Sequence, residues 1–163
     1  MTGVVKYILP QGVLGKLLER QGDDKSMLEM SIDGTELKFE VKKYHPSTKD
    51  NWDCEWCQIF VSIHNRYIHY EMNGETLLCC EIEKIYTDLK DALAGENVER
   101  CELSFAEPDY EMVIDVYKDK KVMLDWIFHL WNEQGTLSAN SFTIVLSTEE
   151  TAQMVEYLER IVK

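Results

Sequence analysis

From Leu28 onward, apolar and polar residues alternate with a period of two: Leu28, Met30 and Ile32 fall on one side, and Leu37, Phe39 and Val41 do so again after Asp33-Gly34. Such alternation lays one side of a strand on a core. Asp-Gly supplies the two positive-φ positions of a type I′ turn, so the stretch predicts a hairpin. A polar loop, KKYHPSTKDNWD, leads to a third strand with Cys57, Ile59, Val61 and Ile63 on its inward side. Ile68, Tyr70 and Met72 predict a fourth strand, reached through HNR and ended by a turn at Asn73-Gly74.

At Leu78 the period changes. Leu78, Ile82, Ile85, Leu89 and Leu93 follow one another at spacings of four, three, four and four, which draws one apolar stripe along a helix. Gly95 is its natural stop. Cys101, Leu103 and Phe105 restore alternation, and Met112, Ile114 and Val116 form the next strand. Val122, Leu124, Trp126, Phe128 and Leu130 then mark the longest strand. Met123, Ile127 and Trp131 interrupt the polarity of its other side, which predicts an interior strand with both faces partly covered. Phe142, Ile144 and Leu146 make the last strand. Ser147, three residues before Glu150, reads as a capping box opening a helix with Ala152, Val155, Leu158 and Ile161 toward the sheet.

The predicted fold class is therefore α+β: a predominantly antiparallel sheet of about eight strands, with a middle amphipathic helix and a C-terminal helix. The length, 163 residues, suits one domain with a real core. Residues 1–25 differ from the rest in their glycines and their RQGDDKS run, and read as an N-terminal extension to a single domain over 26–163. A short helix at 12–20 fits that extension. The two halves each end in an amphipathic helix, although no residue-by-residue repeat is visible.

Charge sharpens the picture most. Thirty acidic against 17 basic residues give a formal net charge of −13, which repels nucleic acid and anionic membranes and favours a basic partner. No apolar run approaches the ~20 residues that span a bilayer. The first residues lack the charged and apolar regions of a signal peptide, so the expected compartment is the cytoplasm, where thiols stay reduced. An odd count of five cysteines agrees with free thiols.

The one catalogued motif is Cys54-x-x-Cys57, in NWDCEWCQIF. Redox catalysis needs a thiolate at a helix N-terminus, whereas this motif runs into a strand beside Asp53 and Glu55, whose charges oppose ionisation. Zinc held by Cys54, Cys57, Cys79 and Cys80 is the rival, and a metal or thiol enzyme the alternative function. Adjacent helical Cys79 and Cys80 point about 100° apart, however, a poor arrangement for one tetrahedral ion. No catalytic residues, cofactor or metal are therefore expected, and the cysteines read as small buried hydrophobes plus a loop thiol. His64 is too far along the strand to serve Cys57, at about 23 Å for seven residues; His69 on the next strand depends on register. His45 and His129 read as solvated histidines.

Two acidic, aromatic-bearing groups remain as candidate partner-binding residues: Asp50, Trp52, Asp53 and Glu55 in one loop, and Glu107, Asp109, Tyr110 and Glu111 around a later turn. Aromatic rings supply buried area at an interface, and carboxylates supply steering. A module that oligomerises through an uncovered sheet edge is a further alternative.

The order of a hairpin, KDNWDCEWCQIFVSIHN, an aromatic-bearing strand, the CEIEKIYTDLKDAL helix, CELSFAEPDYEMVI, a long strand and a capped last helix resembles the WapI-like immunity proteins of bacterial polymorphic toxin systems. The resemblance covers residues 27–163, with Trp56 of DCEW at the place of a family tryptophan. It implies a cytoplasmic protein that binds and neutralises a cognate toxin, in many such systems a nuclease, without catalysis.

Overall fold

The computed structural model describes residues 27–46, 55–95, 100–105, 110–117, 121–131 and 137–163. In chain order the elements are β1 (Leu28–Ile32), β2 (Thr35–Lys42), β3 (Trp56–His64), β4 (His69–Leu78), α1 (Cys79–Ala94), β5 (Arg100–Ser104), β6 (Tyr110–Val116), β7 (Val122–Trp131), β8 (Leu137–Leu146) and α2 (Thr148–Val162). The eight strands form two antiparallel four-stranded sheets, in the orders β1-β2-β3-β4 and β5-β6-β7-β8. The α+β class, the eight antiparallel strands and the middle and C-terminal helices are as expected; the strands expected in one sheet divide into two sheets of four. The possible helix at 12–20 lies outside the described residues.

The first hairpin turns where the sequence predicts. Asp33 and Gly34 take φ of 47° and 77°, and Leu28 faces Phe39 across the ladder. The second predicted turn does not exist. Asn73 and Gly74 lie inside β4, opposite Phe60 and Ile59, and Gly74 is not among the positive-φ glycines. A ladder of cross-strand bonds overrides the local turn preference here. The glycine instead neighbours an irregularity: the register shifts between Cys57 and Gln58, leaving Thr76 as an extra residue on β4, the setting in which a strand glycine is commonly found. β4 then runs straight into α1. The Glu81 carboxylate accepts the Leu78 N–H at 2.8 Å, and Gly95, at φ 77°, closes the helix by donating to the Ala92 carbonyl.

Each half of the chain is thus four sequentially paired strands followed by one helix. The inward sides of both sheets and the apolar sides of both helices share one core, which includes Leu37, Phe39, Ile59, Val61, Ile63, Ile82, Leu89, Ile114, Leu146 and Leu158. Full burial of such a side chain is worth about 1.5–3 kcal/mol. α1 buries Ile82, Ile85 and Leu89 as expected and adds Cys79, Tyr86 and Ala92. α2 is rotated from expectation: Thr151, Met154 and Tyr157 are buried with Val155 and Leu158, while Ala152 and Ile161 are only partly covered. A rotated face is needed because α2 touches α1 and both sheets at once. The halves are joined by specific groups as well: Phe39 of β2 lies edge-on to Trp126 of β7 and to Tyr157 of α2. Val41 N–H donates to the Tyr157 hydroxyl at 2.9 Å, and the Tyr86 hydroxyl donates to Glu159 at 2.9 Å.

α2 opens with a complete capping box. Ser147 Oγ accepts the Glu150 N–H at 3.2 Å, and the Glu150 carboxylate accepts the Ser147 N–H at 2.7 Å. Ser147→Ala leaves an N–H of the first turn without its acceptor and is expected to cost about 1 kcal/mol, read as a fall in the urea midpoint at unchanged m-value.

Candidate functional site

The sheet formed by β1–β4 has one side in the core and one in solvent. On the solvent side stand Glu29, Glu36, Lys38, Glu40, Lys42, Trp56, Gln58, Phe60, His64, His69, Glu71 and Glu75, the residues alternate to the buried ones. The lysines are engaged: Lys38 meets Glu29 at 3.0 Å, Lys42 meets Glu40 at 3.0 Å, and Lys43 meets Glu75 at 3.8 Å. Glu36 and Glu71 face histidines, at 3.7 Å from His64 and 3.8 Å from His69. Those histidines are directly opposed at the end of the β3–β4 ladder, with ring centroids 5.3 Å apart. Exposed pairs of this kind contribute little to stability.

Beyond the histidines the turn from Asn65 to Ile68 is firmly built. Asn65 Oδ1 accepts the N–H groups of Tyr67 and Ile68 at 2.8 and 2.9 Å, and its own N–H donates to the Ile68 carbonyl at 2.9 Å. Its amide also reaches Thr35 Oγ1 at 3.3 Å, fixing the turn to the first hairpin. The turn holds Tyr67 at 76% exposure and Ile68 at 42%, with the Arg66 guanidinium 4.3 Å from the Tyr67 ring centroid. Trp56, 41% exposed, stands eight residues away along β3 from His64, about 26 Å at 3.3 Å per residue. One face of the described sheet therefore carries large exposed side chains at both ends. A shallow, open depression over the first hairpin is lined by Glu29, Ser31, Glu36 and Lys38 among others.

Of the candidate residues, Asp50, Trp52, Asp53, Glu107 and Asp109 lie outside the described residues, and Tyr110 opens β6. Glu55 is exposed immediately before β3, and its carbonyl accepts the Cys79 N–H at 2.9 Å. Glu111 is on the other sheet, in β6, 3.4 Å from His129 Nε2. His129 differs from expectation: its side chain is only 15% exposed, on a strand that lies between β6 and β8. His45 is exposed, as expected. Ile68, expected on the inward side of the fourth strand, instead lies exposed in the turn before β4, and sequence reasoning did not single out Tyr67. The available signal was the Asn two residues before an aromatic at the break between two strands, which marks a side-chain-stabilised turn.

Among the described residues, no histidine is paired with Cys57. Cys57 pairs across the ladder with Leu77, not with His69, which excludes a Cys57–His69 couple. Its Sγ lies 3.2 Å from Cys79 Sγ in the core, and burial, followed by that contact, pushes the Cys57 thiol far up. Cys80, the neighbour of Cys79, is turned away and partly exposed, as helical geometry requires. The Cys101 thiol donates to Asp88 Oδ2 at 3.0 Å, and burial together with that carboxylate holds it above the ordinary thiol range. Cys54 lies outside the described residues. Among the described residues, no three His, Cys, Asp or Glu side chains gather as a metal site, and no helix is long and apolar enough to cross a membrane.

No curated protein matches the sequence. Among solved structures, the fold is similar to one described as crystal structures of Trypanosoma bruciei MRP1/MRP2, with a TM-score of 0.52, 7% identity and 83% of each chain covered. At that identity the likeness is one of fold. The sequence profile described as Immunity protein WapI-like family matches residues 27–163, which takes in every described strand and helix. The chain belongs to the WapI-like family of immunity proteins.

Proposed function

We propose that this chain neutralises a cognate toxin domain by binding it in the cytoplasm, with no chemistry of its own. The observation that carries this reading is the match to an immunity-protein family over residues 27–163. Residues 26–163 form the binding domain and residues 1–25 an extension. A toxin that acts on nucleic acid presents basic groups to phosphates; a protein with formal charge −13 complements such a surface and is itself repelled by nucleic acid and anionic membranes. The contact surface comprises Asp50, Trp52, Asp53 and Glu55 with the adjoining outer face of β1–β4, and the rim of Glu107, Asp109, Tyr110 and Glu111. A pre-ordered turn loses little entropy on docking, which favours Tyr67 and Ile68 as anchors.

Co-expression with the toxin domain encoded beside this chain tests the reading. A stable complex, protection of the host and an affinity that falls with added salt are expected; neither complex nor protection would sink it. Within a confirmed complex, Tyr67→Ala is expected to weaken binding about tenfold through faster dissociation while leaving the fold intact. Surface plasmon resonance beside far-UV circular dichroism separates the two effects, and an unchanged off-rate removes Tyr67 from the interface.

A further inference from the structure

We infer that Cys57 and Cys79 are a reversible oxidation site, a buried dithiol that a hydroperoxide converts to a disulfide joining β3 to the start of α1. The two sulfurs are 3.2 Å apart, so about 1.2 Å must close to reach the bonded distance. Register explains the approach. Cys57 is paired with Leu77, and Cys79 follows two residues later on the same inward side, which makes the thiols diagonal neighbours at the end of the ladder. The Cys79 N–H bond to the Glu55 carbonyl at 2.9 Å fixes the helix start against β3. Both thiols are shielded, at 0% and 1% exposure, so an oxidant close to water in size is favoured over a bulky disulfide.

The chemistry balances with one hydroperoxide. The Cys79 thiolate, at the N-terminal end of the α1 dipole, attacks a peroxide oxygen; the O–O bond breaks, hydroxide leaves and a sulfenic acid forms. Cys57, deprotonated by that hydroxide to give one water, attacks the Cys79 sulfur; the S–O bond breaks as the S–S bond forms, and the departing hydroxide takes up the proton that Cys79 released on ionising, giving the second water. With hydrogen peroxide, two thiols and one oxidant become one disulfide and two waters. Burial pushes the Cys57 thiol up, so little of it is thiolate and the pair reacts slowly.

The test uses the full chain. Protein exposed to hydrogen peroxide is denatured, its remaining thiols are alkylated, and peptides are mapped by mass spectrometry. Expected are a cross-linked Cys57–Cys79 peptide, a mass loss of about 2 Da, reversal by dithiothreitol, and a thermal midpoint raised by roughly 3–10 °C. Cys80→Ser retains the cross-link and Cys57→Ser abolishes it. The wild-type map decides the matter even if Cys57→Ser fails to fold. Alkylated Cys57 and Cys79 after oxidation, cross-links confined to other cysteines, or stoichiometric zinc released by a thiol reagent from the purified protein would each overturn the inference.

Discussion

Replacing Phe39 with alanine is expected to destabilise the fold by about 4 kcal/mol, the range in which buried phenylalanines fall when truncated. Phe39 is 2% exposed, and its ring stands at centroid distances of 6.2 Å from Trp126 and 6.1 Å from Tyr157, edge-on to both. One side chain of the first sheet thereby touches the second sheet and the last helix. Alanine removes the transfer energy of the ring, opens a cavity between three elements that cannot all collapse inward, and deletes two edge-to-face pairs. Denaturant titration reads the loss as a lower midpoint. A cycle with Trp126→Ala should return a coupling of about 0.5–1.5 kcal/mol. A total loss under about 2 kcal/mol would mean that the halves are held together chiefly elsewhere.

Alkaline pH should weaken the fold through Tyr157. Burial pushes its hydroxyl up to about 12, against the opposing effect of the Val41 N–H that donates to it. In the unfolded chain the same group ionises near 10, as a free tyrosine does. Below pH 10 both states keep the proton and stability is at its full value. Between pH 10 and 12 only the unfolded chain releases it, so stability falls with rising pH, by about 2 kcal/mol across the window. Tyr44, whose hydroxyl donates to Glu83 at 2.6 Å, is raised too, first by burial and then by that carboxylate, and acts in the same direction. Tyr157→Phe loses a hydrogen bond at neutral pH and should flatten the alkaline limb. Urea midpoints at pH 9, 10, 11 and 11.5 decide; an equally steep limb in the phenylalanine variant would assign the loss to other groups.

Where hydrophobic periodicity was strong, the elements were legible. Ile82, Ile85 and Leu89 announced α1, and Ser147 with Glu150 announced α2. Local turn chemistry was a weaker guide. Asp33-Gly34 and Asn73-Gly74 carry the same signal, yet only the first turns, because β3 offers Asn73 and Gly74 partners along the whole ladder. The strand start at Leu137 was invisible for the complementary reason: Ser138, Ala139, Asn140 and Ser141 have little strand character and are drawn into β8 by pairing with β7. The contact of Cys57 with Cys79 spans 22 residues and depends on register, which composition does not encode. For the binding surface, charge pointed to a kind of partner without marking a place, since acidic residues are scattered over the whole chain.

The sequential pairing of the strands also bears on how the chain is made. Every ladder between the described strands joins strands that follow each other, so the closures are local in sequence and lose little chain entropy. The first sheet and α1 are complete in the nascent polypeptide well before α2 emerges. Phe39 gains Trp126 only when β7 follows, and until α2 arrives it lacks Tyr157 and the Val41 N–H lacks its tyrosine oxygen. Synthesis thus passes through a stage in which a finished sheet displays an uncovered greasy side, a sticky nascent species of the kind chaperones attend, and arrival of the last 15-residue helix ends that exposure.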